Sequence, residues 1–299
     1  MAQLVECIPN FSEGRNKELI EEFVNTVKNT PGVMLLDYSS DSSHNRSVFT
    51  FAGSPEAVMD TAFKCAKLAV KKIDLTKHTG EHPRMGAVDV IPFVPLKDVT
   101  TAECVEISKT LGKKLWDELA LPVFLYEDSA STPERRNLAT LRKGQFEGMA
   151  EKIKKPEFIP DYGNKLHETA GIVACGARPP LVAFNVNLNT SNINIANKIA
   201  KIIRESNGGL KSVKSIGVML EERNIAQVSV NMTNYMQAPL YRVLELVKIE
   251  AARFGVSVIG TEIIGLVPMN ALIDCADYYL KIENFDSGKQ VLENYLLKG

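Results

Sequence analysis

The chain has 299 residues, 45% of them hydrophobic and 24% charged, and a formal net charge of −1. That length suffices for two domains with cores of their own, and the near-neutral charge gives no footprint for nucleic acid or an anionic membrane surface. The longest apolar runs, such as "VSVIGTEIIGLVP", are too short and interrupted to span a bilayer, and "MAQLVECIPN" lacks the basic and apolar regions of a secretory signal.

Cys7, Cys65, Cys104, Cys175 and Cys275 are odd in number, widely spaced and without a C-x-x-C pair. They read as free thiols, so a cytoplasmic protein is expected. Asn45, Asn189 and Asn231 begin N-x-S/T matches, which without a secretory signal read as chance.

In chain order, Leu4 to Ile8 is a short apolar run ended by Pro9-Asn10. Asn16 to Asn29 has helical spacing, with Leu19, Ile20, Phe23 and Val27 on one face. Val33 to Asp37 reads as a strand, Ser39 to Asn45 as polar loop, and Ser47 to Ala52 as a second strand. Ser54-Pro55-Glu56 opens a helix with a capping residue and a first-turn proline, and it runs to about Lys72. Ala87 to Val94 is the next strand, followed by a helix over Thr101 to Leu119 and a strand over Pro122 to Tyr126. The order β-α-β-β-α-β is that of a ferredoxin-like unit.

The second half repeats that order. Leu181 to Leu188 reads as a strand, and Ser191 to Glu205 as a helix stopped by Asn207-Gly208-Gly209. Val213 to Leu220 and Ile225 to Asn231 are strands around the turn "EERN". Ala238 to Phe254 is a helix, Val256 to Gly260 a strand and Met269 to Leu280 a helix. A polar stretch from about Lys154 to Pro180 separates the halves. The fold expected is α+β, two ferredoxin-like βαββαβ subdomains. Residues 1–178 form the first, including the interdomain segment 154–178, and residues 179–299 the second.

The stretch "HTGEHPRMGAVDV", His78 to Val90, carries two of the four histidines. His78, Glu81 and His82 have the H-x-x-E-H spacing of a zinc-peptidase helix, whose histidines must share one helix face. Gly80 weakens such a helix and Pro83 pushes His82 out of the helical region. The segment therefore reads as a loop, and no metal site is expected. As a loop, "EHPR" offers an imidazole for proton transfer, a carboxylate in Glu81 and an anion fork in Arg84. The competing reading is a solvated surface turn.

Three further segments carry candidates. In "NFSEGRN", Ser12 or Asn16 caps the following helix, and Gly14 beside that helix start is an anion site or an ordinary turn. "DSSHNRSV" places His44, Asn45 and Arg46 at the entry to a strand, as an anion-facing rim or a polar loop. "GNKLHETAGIVACGAR", Gly163 to Arg178, is a functional loop or a linker. The cysteines lack an adjacent base and read as inert. Trp116, Tyr278 and Tyr279 fall in helical patterns and are expected in the core.

Taken together, "VECIPNFSEGRN", "NRSVFTFAG", "HTGEHPRMGAVDVIPFVP", "PVFLYEDSA", "GARPPLVAFNVNL" and "RNIAQVSVNMTNY" resemble glutamate formiminotransferase. The blocks run in order from Leu4 nearly to the end, and the chain resembles the stand-alone form without a cyclodeaminase domain. The resemblance implies transfer of a formimino group from N-formimino-L-glutamate to N5 of tetrahydrofolate, late in histidine breakdown. It implies a cytoplasmic homodimer with a substrate cleft or tunnel between two subdomains. The partners are small molecules, with tetrahydrofolate as co-substrate and no nucleic acid or membrane. Two alternatives stay open: formyl transfer from 5-formyltetrahydrofolate to glutamate, and a non-catalytic amino-acid- or folate-binding module.

The family's catalytic histidine matches His82. Its folate-contacting segment matches Gly163, Asn164, Lys165, Leu166, His167, Glu168, Thr169, Ala170, Gly171 and Ile172. Some members carry an acid where this chain has Ser39, so Asp37, Asp41 or Glu81 would orient the histidine or stabilise charge on the formimino group. Both substrates bear carboxylates, for which Arg46, Arg84, Arg178 and Arg15 are the candidate clamps.

Overall fold

A computed structural model describes residues 3–296. The chain divides into two compact units between Pro179 and Pro180. The first contains β1 (Leu4–Cys7), β2 (Asn10–Phe11), α1 (Lys17–Lys28), β3 (Val33–Asp41), β4 (Arg46–Gly53) and α2 (Pro55–Lys72). It continues with β5 (Val88–Lys97), α3 (Thr101–Leu119), β6 (Val123–Glu127), α4 (Leu138–Arg142), α5 (Gln145–Lys152) and β7 (Val173–Ala177). β1 and β2 both pair with β4 and β5, so they form one row interrupted at Ile8-Pro9, where proline has no N–H for the ladder. Across the sheet the rows run β3, β4, β1 with β2, β5, β7, β6. The first four rows are antiparallel, in the order of a βαββαβ unit. β7 and β6 extend it as parallel neighbours of β5.

Local sequence explains the helices. Asn16 accepts from the Leu19 N–H and Ser54 from that of Ala57, and Thr100 with Glu103 forms a capping box. α1 buries Leu19, Ile20, Phe23, Val24 and Val27, and α2 and α3 bury matching stripes. All three pack on one face of the sheet, against Val5, Cys7, Phe49, Phe51, Ile91, Phe93, Val173 and Cys175. The opposite face is covered near β6 and β7 by α4 and α5, where Leu141 and Met149 meet Phe124, Tyr126 and Ala174. Along β4 that same face carries Arg46, Val48 and Thr50, all half-buried and alternating with buried Ser47, Phe49 and Phe51.

The second unit contains β8 (Val182–Leu188), α6 (Ile193–Ile203), β9 (Val213–Leu220), β10 (Ile225–Met232), α7 (Leu240–Ala252), β11 (Val258–Ile264) and α8 (Met269–Leu280). Its sheet order is β11-β8-β10-β9, all antiparallel, again that of a βαββαβ unit. Val182, Phe184, Val186 and Leu188 pack with Ala226, Val228, Val230 and Met232 against α6 and α7. The intervening Asn187 and Gln227 are hydrogen-bonded to each other at 2.8 Å on the other face.

Several expectations are corrected. β3 runs on to Asp41 through residues read as polar loop, because β4 supplies ladder partners while the side chains face solvent. β11 lies two to four residues beyond the expected strand. β7 falls inside the supposed linker, and α4 and α5 were not anticipated. Trp116 is half-buried. Tyr278 and Tyr279 are exposed: Tyr278 stacks on Tyr241 at 4.2 Å and Tyr279 donates to Glu245.

Phe11, beside Asn10, stacks on Phe23 at 4.2 Å, and Phe49 meets both rings at 5.6 Å; each is at most 1% exposed. Phe23→Ala should cost about 3–5 kcal/mol through the cavity it leaves. Urea denaturation of the first unit checks this, and a loss below about 1 kcal/mol would show that the aromatic cluster does not support β2.

Candidate active site

The connection from α2 to β5 contains no helix, so His78 and His82 do not share a helix face. Tertiary hydrogen bonds hold it instead. Leu75 N–H donates to Thr169 O at 2.8 Å, Ala87 N–H to Ala170 O at 2.9 Å and Ile172 N–H to Met85 O at 3.1 Å. On the other side, Ser12 N–H donates to Ala87 O and its hydroxyl to Gly86 O. Asn45 accepts from Gly14 N–H and donates to Thr79 O, both at 2.9 Å. Gly80 passes so close to β4's entry that a Cβ would lie 2.4 Å from His44 O, and a Cβ on Gly14 would lie 2.2 Å from Asp41 O. Gly14's N–H is therefore committed to Asn45, and Asn16 caps α1, so this turn is a packing junction.

Arg84 is buried and fully engaged. Its Nε donates to His78 Nδ1 at 3.1 Å, and its two terminal nitrogens grip Glu147 at 2.9 and 2.7 Å, with further bonds to Gln145 Oε1 and His78 O. A guanidinium only donates, so His78 Nδ1 accepts, and its Nε2–H donates to Asn45 O at 3.0 Å. Burial foremost, with Arg84's charge adding to it, holds the His78 ring neutral by lowering its pKa. Arg84 is thus no open fork for a substrate carboxylate, because Glu147 already occupies it.

His82 has different neighbours. Its Nδ1 lies 3.4 Å from Arg46 Nη1, and Arg46 Nη2 donates to Asn10 Oδ1. Arg46 only donates, so a neutral His82 carries its proton on Nε2. His82 Nε2 and Arg46 Nε are both buried and lack a hydrogen-bond partner. Close by, Arg142 at the end of α4 donates through Nε to Asp89 Oδ2 at 2.7 Å and ion-pairs with the same oxygen through Nη2 at 2.5 Å. Asp89 Oδ1 accepts from Met85 N–H at 2.8 Å, which ties this pair to the histidine loop. Burial, then Arg46, Arg142 and His44, lower the His82 pKa to about 3. Burial and Arg142 lower that of Arg46 to about 10, against the opposing pull of Asp89. The result is a cationic cluster, with two guanidiniums and one carboxylate near a neutral imidazole.

None of the carboxylates proposed to orient His82 hydrogen-bonds to it among the described residues. Asp41 instead ion-pairs with exposed His44 at 3.1 Å and accepts from its backbone N–H, which holds Asp41 below the usual carboxylate range. Asp37 and Glu81 are exposed. Asp37 pairs with Thr50 along β3, and Glu81 joins Ser43 through its backbone. Arg15 binds Ser42 O and Thr79 and pins the turn. Arg178 follows β7, which is parallel to β5, so it lies at the opposite end of these strands from the loop that precedes β5. There its Nη1 donates to Pro179 O.

The segment from Gly163 to Ile172 divides. Thr169, Ala170 and Ile172 are bonded to the histidine loop as described, and His167 Nδ1 accepts from the Thr169 and Ala170 N–H groups. Gly163 instead packs on Trp116 and Pro122 beside the start of β6. Asn164, Lys165 and Glu168 are exposed, and Leu166 is half-buried. The structure adds Asn10, Asp89, Arg142 and Glu147 to the site. Asn10 and Asp89 lay within quoted motifs without being singled out; Arg142 and Glu147 had no local signal.

Residues 4–178 match the formiminotransferase domain, N-terminal subdomain, and residues 183–293 match the formiminotransferase domain. The chain is 62% identical to glutamate formimidoyltransferase of Streptococcus pyogenes serotype M1 over 99% of this chain and 100% of that protein. It is 46% identical to that of Thermoplasma acidophilum over 99% and 98% of the two chains. It is 44% identical to formimidoyltransferase-cyclodeaminase of Gallus gallus over 95% of this chain and 53% of that longer protein.

Because the folded His82 pKa lies below the ordinary value of about 6.5, its stability contribution is full above that pH and is lost as pH falls toward 3. An NMR titration of the ligand-free protein should find the His82 ring neutral from pH 8 down to pH 5. Removing a charge with Arg46→Met should raise its midpoint. A wild-type midpoint near about 6.5 would mean that burial and the arginines do not govern this ring.

Proposed function

The chain belongs to the formiminotransferase family, and from that premise we propose that it is a glutamate formimidoyltransferase acting through His82. The donor is N-formimino-L-glutamate, the acceptor is N5 of tetrahydrofolate, and the products are L-glutamate and 5-formiminotetrahydrofolate. The observation that carries the assignment is the buried, unpartnered His82 Nε2 beside the unpartnered Arg46 Nε. Two polar atoms sealed from water without partners await a ligand that supplies both an anion and a proton-exchanging group. Relatives named for formimidoyl transfer match almost end to end. They favour the formimino donor over formyl transfer and over a binding module.

The chemistry follows from these atoms. N5 attacks the amidine carbon, the C–N5 bond forms, and N5 loses a proton to His82. The tetrahedral intermediate then collapses with cleavage of the bond to the glutamate nitrogen, which takes that proton from His82. A single imidazole does both jobs because one bond forms where another breaks. To accept at Nε2 the ring must carry its resting proton on Nδ1, which requires Arg46 to leave Nδ1. An anionic donor drawing Arg46 to itself accomplishes this. Arg46 is the carboxylate clamp, and Arg84, through His78 and Glu147, positions the loop. Asp37, Asp41 and Glu81 face the rim, where a carboxylate favours the protonated formimino group. Thr169 to Ile172 form the nearer wall for folate, and Gly163 to Glu168 the outer one. The same reading extends to a cytoplasmic homodimer. The buried thiols of Cys7, Cys65, Cys104 and Cys175 suit a reducing compartment.

Mixing the protein with tetrahydrofolate and N-formimino-L-glutamate should produce the new folate species in an ultraviolet assay, whereas 5-formyltetrahydrofolate with glutamate should react more slowly. His82→Ala should lower kcat by roughly 10²–10⁴-fold with KM changed only a few-fold. A kcat within a few-fold of wild type in a folded variant would exclude His82 as the proton carrier.

A further inference from the structure

We propose that Arg142, held by Asp89, is the second arm of a clamp that reads the α-carboxylate of the glutamyl donor, with Arg46 as the first arm. This rests on the reading that places His82 at the reacting carbon.

Arg142 is built to be rigid and still to have donors in reserve. Its Nε and Nη2 are committed to Asp89 Oδ2, and the Asp89 side chain is only 3% exposed. Its Nη1 carries no hydrogen bond among the described residues, and 16% of its side chain remains open. The backbone on either side is fixed by an unusual strut. The Lys152 ammonium donates to Thr140 O, Leu141 O and Lys143 O at 2.5, 2.7 and 2.9 Å, capping the carbonyl end of α4. Arg142 therefore cannot swing freely. Asn10, which holds Arg46 Nη2, pairs with Val90 next to Asp89 where β2 meets β5, and Asp89 Oδ1 takes the Met85 N–H three residues on from His82, so both guanidiniums are anchored at neighbouring positions of the site. Two like charges held together near a neutral ring are costly unless an anion bridges them.

The identity of that anion follows from covalent distance. In formiminoglutamate the α-carboxylate is separated from the amidine carbon by one nitrogen and one carbon. The γ-carboxylate lies two methylenes further along, and the glutamyl carboxylates of tetrahydrofolate are a whole aminobenzoyl unit away from N5. With Arg46 3.4 Å from the His82 ring, the carboxylate that fits both arginines while the amidine carbon faces His82 is the nearest one along the chain, the α-carboxylate. Its arrival offsets the arginines' share of what keeps His82 a poor base, burial supplying the larger share, and draws Arg46 off Nδ1. The donor thus completes the base that acts on it.

Calorimetry on the full chain tests this with L-glutamate, its α-amide and its γ-amide. Wild type should bind the α-amide at least about tenfold more weakly than glutamate, since a charge-assisted bidentate contact is lost. Arg142→Lys keeps a cation for Asp89 and so spares the fold, but lacks the second donor arm. It should weaken glutamate about tenfold, leave the α-amide within two- to threefold, and keep the preference for glutamate over the γ-amide. Wild type that fails to prefer glutamate over its α-amide overturns the proposal. So does Arg142→Lys that binds glutamate normally, or that loses glutamate and α-amide equally. Turnover with tetrahydrofolate and formiminoglutamate, run on the same preparations, separates the two readings. Intact α-carboxylate discrimination without turnover overturns the transfer reaction and leaves the clamp standing.

Discussion

Arg84 is the interaction on which the site depends. The connection between α2 and β5 must carry His82 to the sheet face opposite α1, α2 and α3, and it does so without regular structure. Its backbone groups are satisfied from outside, and Arg84 is the side chain that links its two ends. One guanidinium fixes the tautomer of His78, takes the His78 carbonyl and closes on Glu147 of α5. As an ion pair the Arg84–Glu147 contact is worth little, on the order of 1 kcal/mol, because Glu147 stays largely solvated. Its value lies in geometry, since removing Arg84 would strand a buried imidazole nitrogen and release the loop from α5.

That geometry brings opposite electrostatic logic to two histidines a few residues apart. His78 is half-buried and accepts from an arginine whose charge is spent on Glu147. His82 is held neutral first by burial and then by arginines whose charge is only partly spent, Arg142 on Asp89 and Arg46 on the neutral Asn10. The groups around the His82 ring therefore carry a net positive charge. The cost is an imidazole too weakly basic to react by itself, which spares it wasteful protonation until an anionic ligand arrives.

Much of this fold could be read from residues. The longer helices were visible because their apolar stripes repeat and some of their caps are side chains with one job, as at Asn16 and Ser54. Gly80 and Pro83 argued against the helix that a zinc pair needs, and His82 was singled out by the family resemblance. What escaped reading shares one physical trait. β3's outer residues face water, so they show no alternation, and β7 is five residues of small and apolar type inside a polar stretch. Arg142 and Glu147 have no local pattern, and Asp89 went unmarked inside the His78 to Val90 stretch, because their meaning arises only when α4, α5 and the segment around β5 come together across 53 to 63 residues of sequence. Arg84 was misjudged for the same reason: its adjacency to His82 along the chain suggested a shared task, whereas its partners lie elsewhere.

The distribution of arginines then explains why the chemistry needs so little added machinery. A transferase must discriminate between a donor bearing the group and the free amino acid it releases, although both carry the same α-carboxylate. A clamp reading only that carboxylate would hold product as firmly as substrate. In the proposed mechanism the carboxylate is read by Arg46, the residue that otherwise holds His82 in its resting tautomer, so binding and basicity are coupled through one side chain. The proton from His82 lets the glutamate nitrogen leave as an amine; once it takes a further proton from water and becomes an ammonium, it places a positive charge beside two guanidiniums, and Coulomb repulsion at that range weakens the product's hold. The donor, whose charge is spread over an amidine reaching toward the acidic rim of β3, suffers less. The same cationic cluster that starts the reaction therefore favours its end.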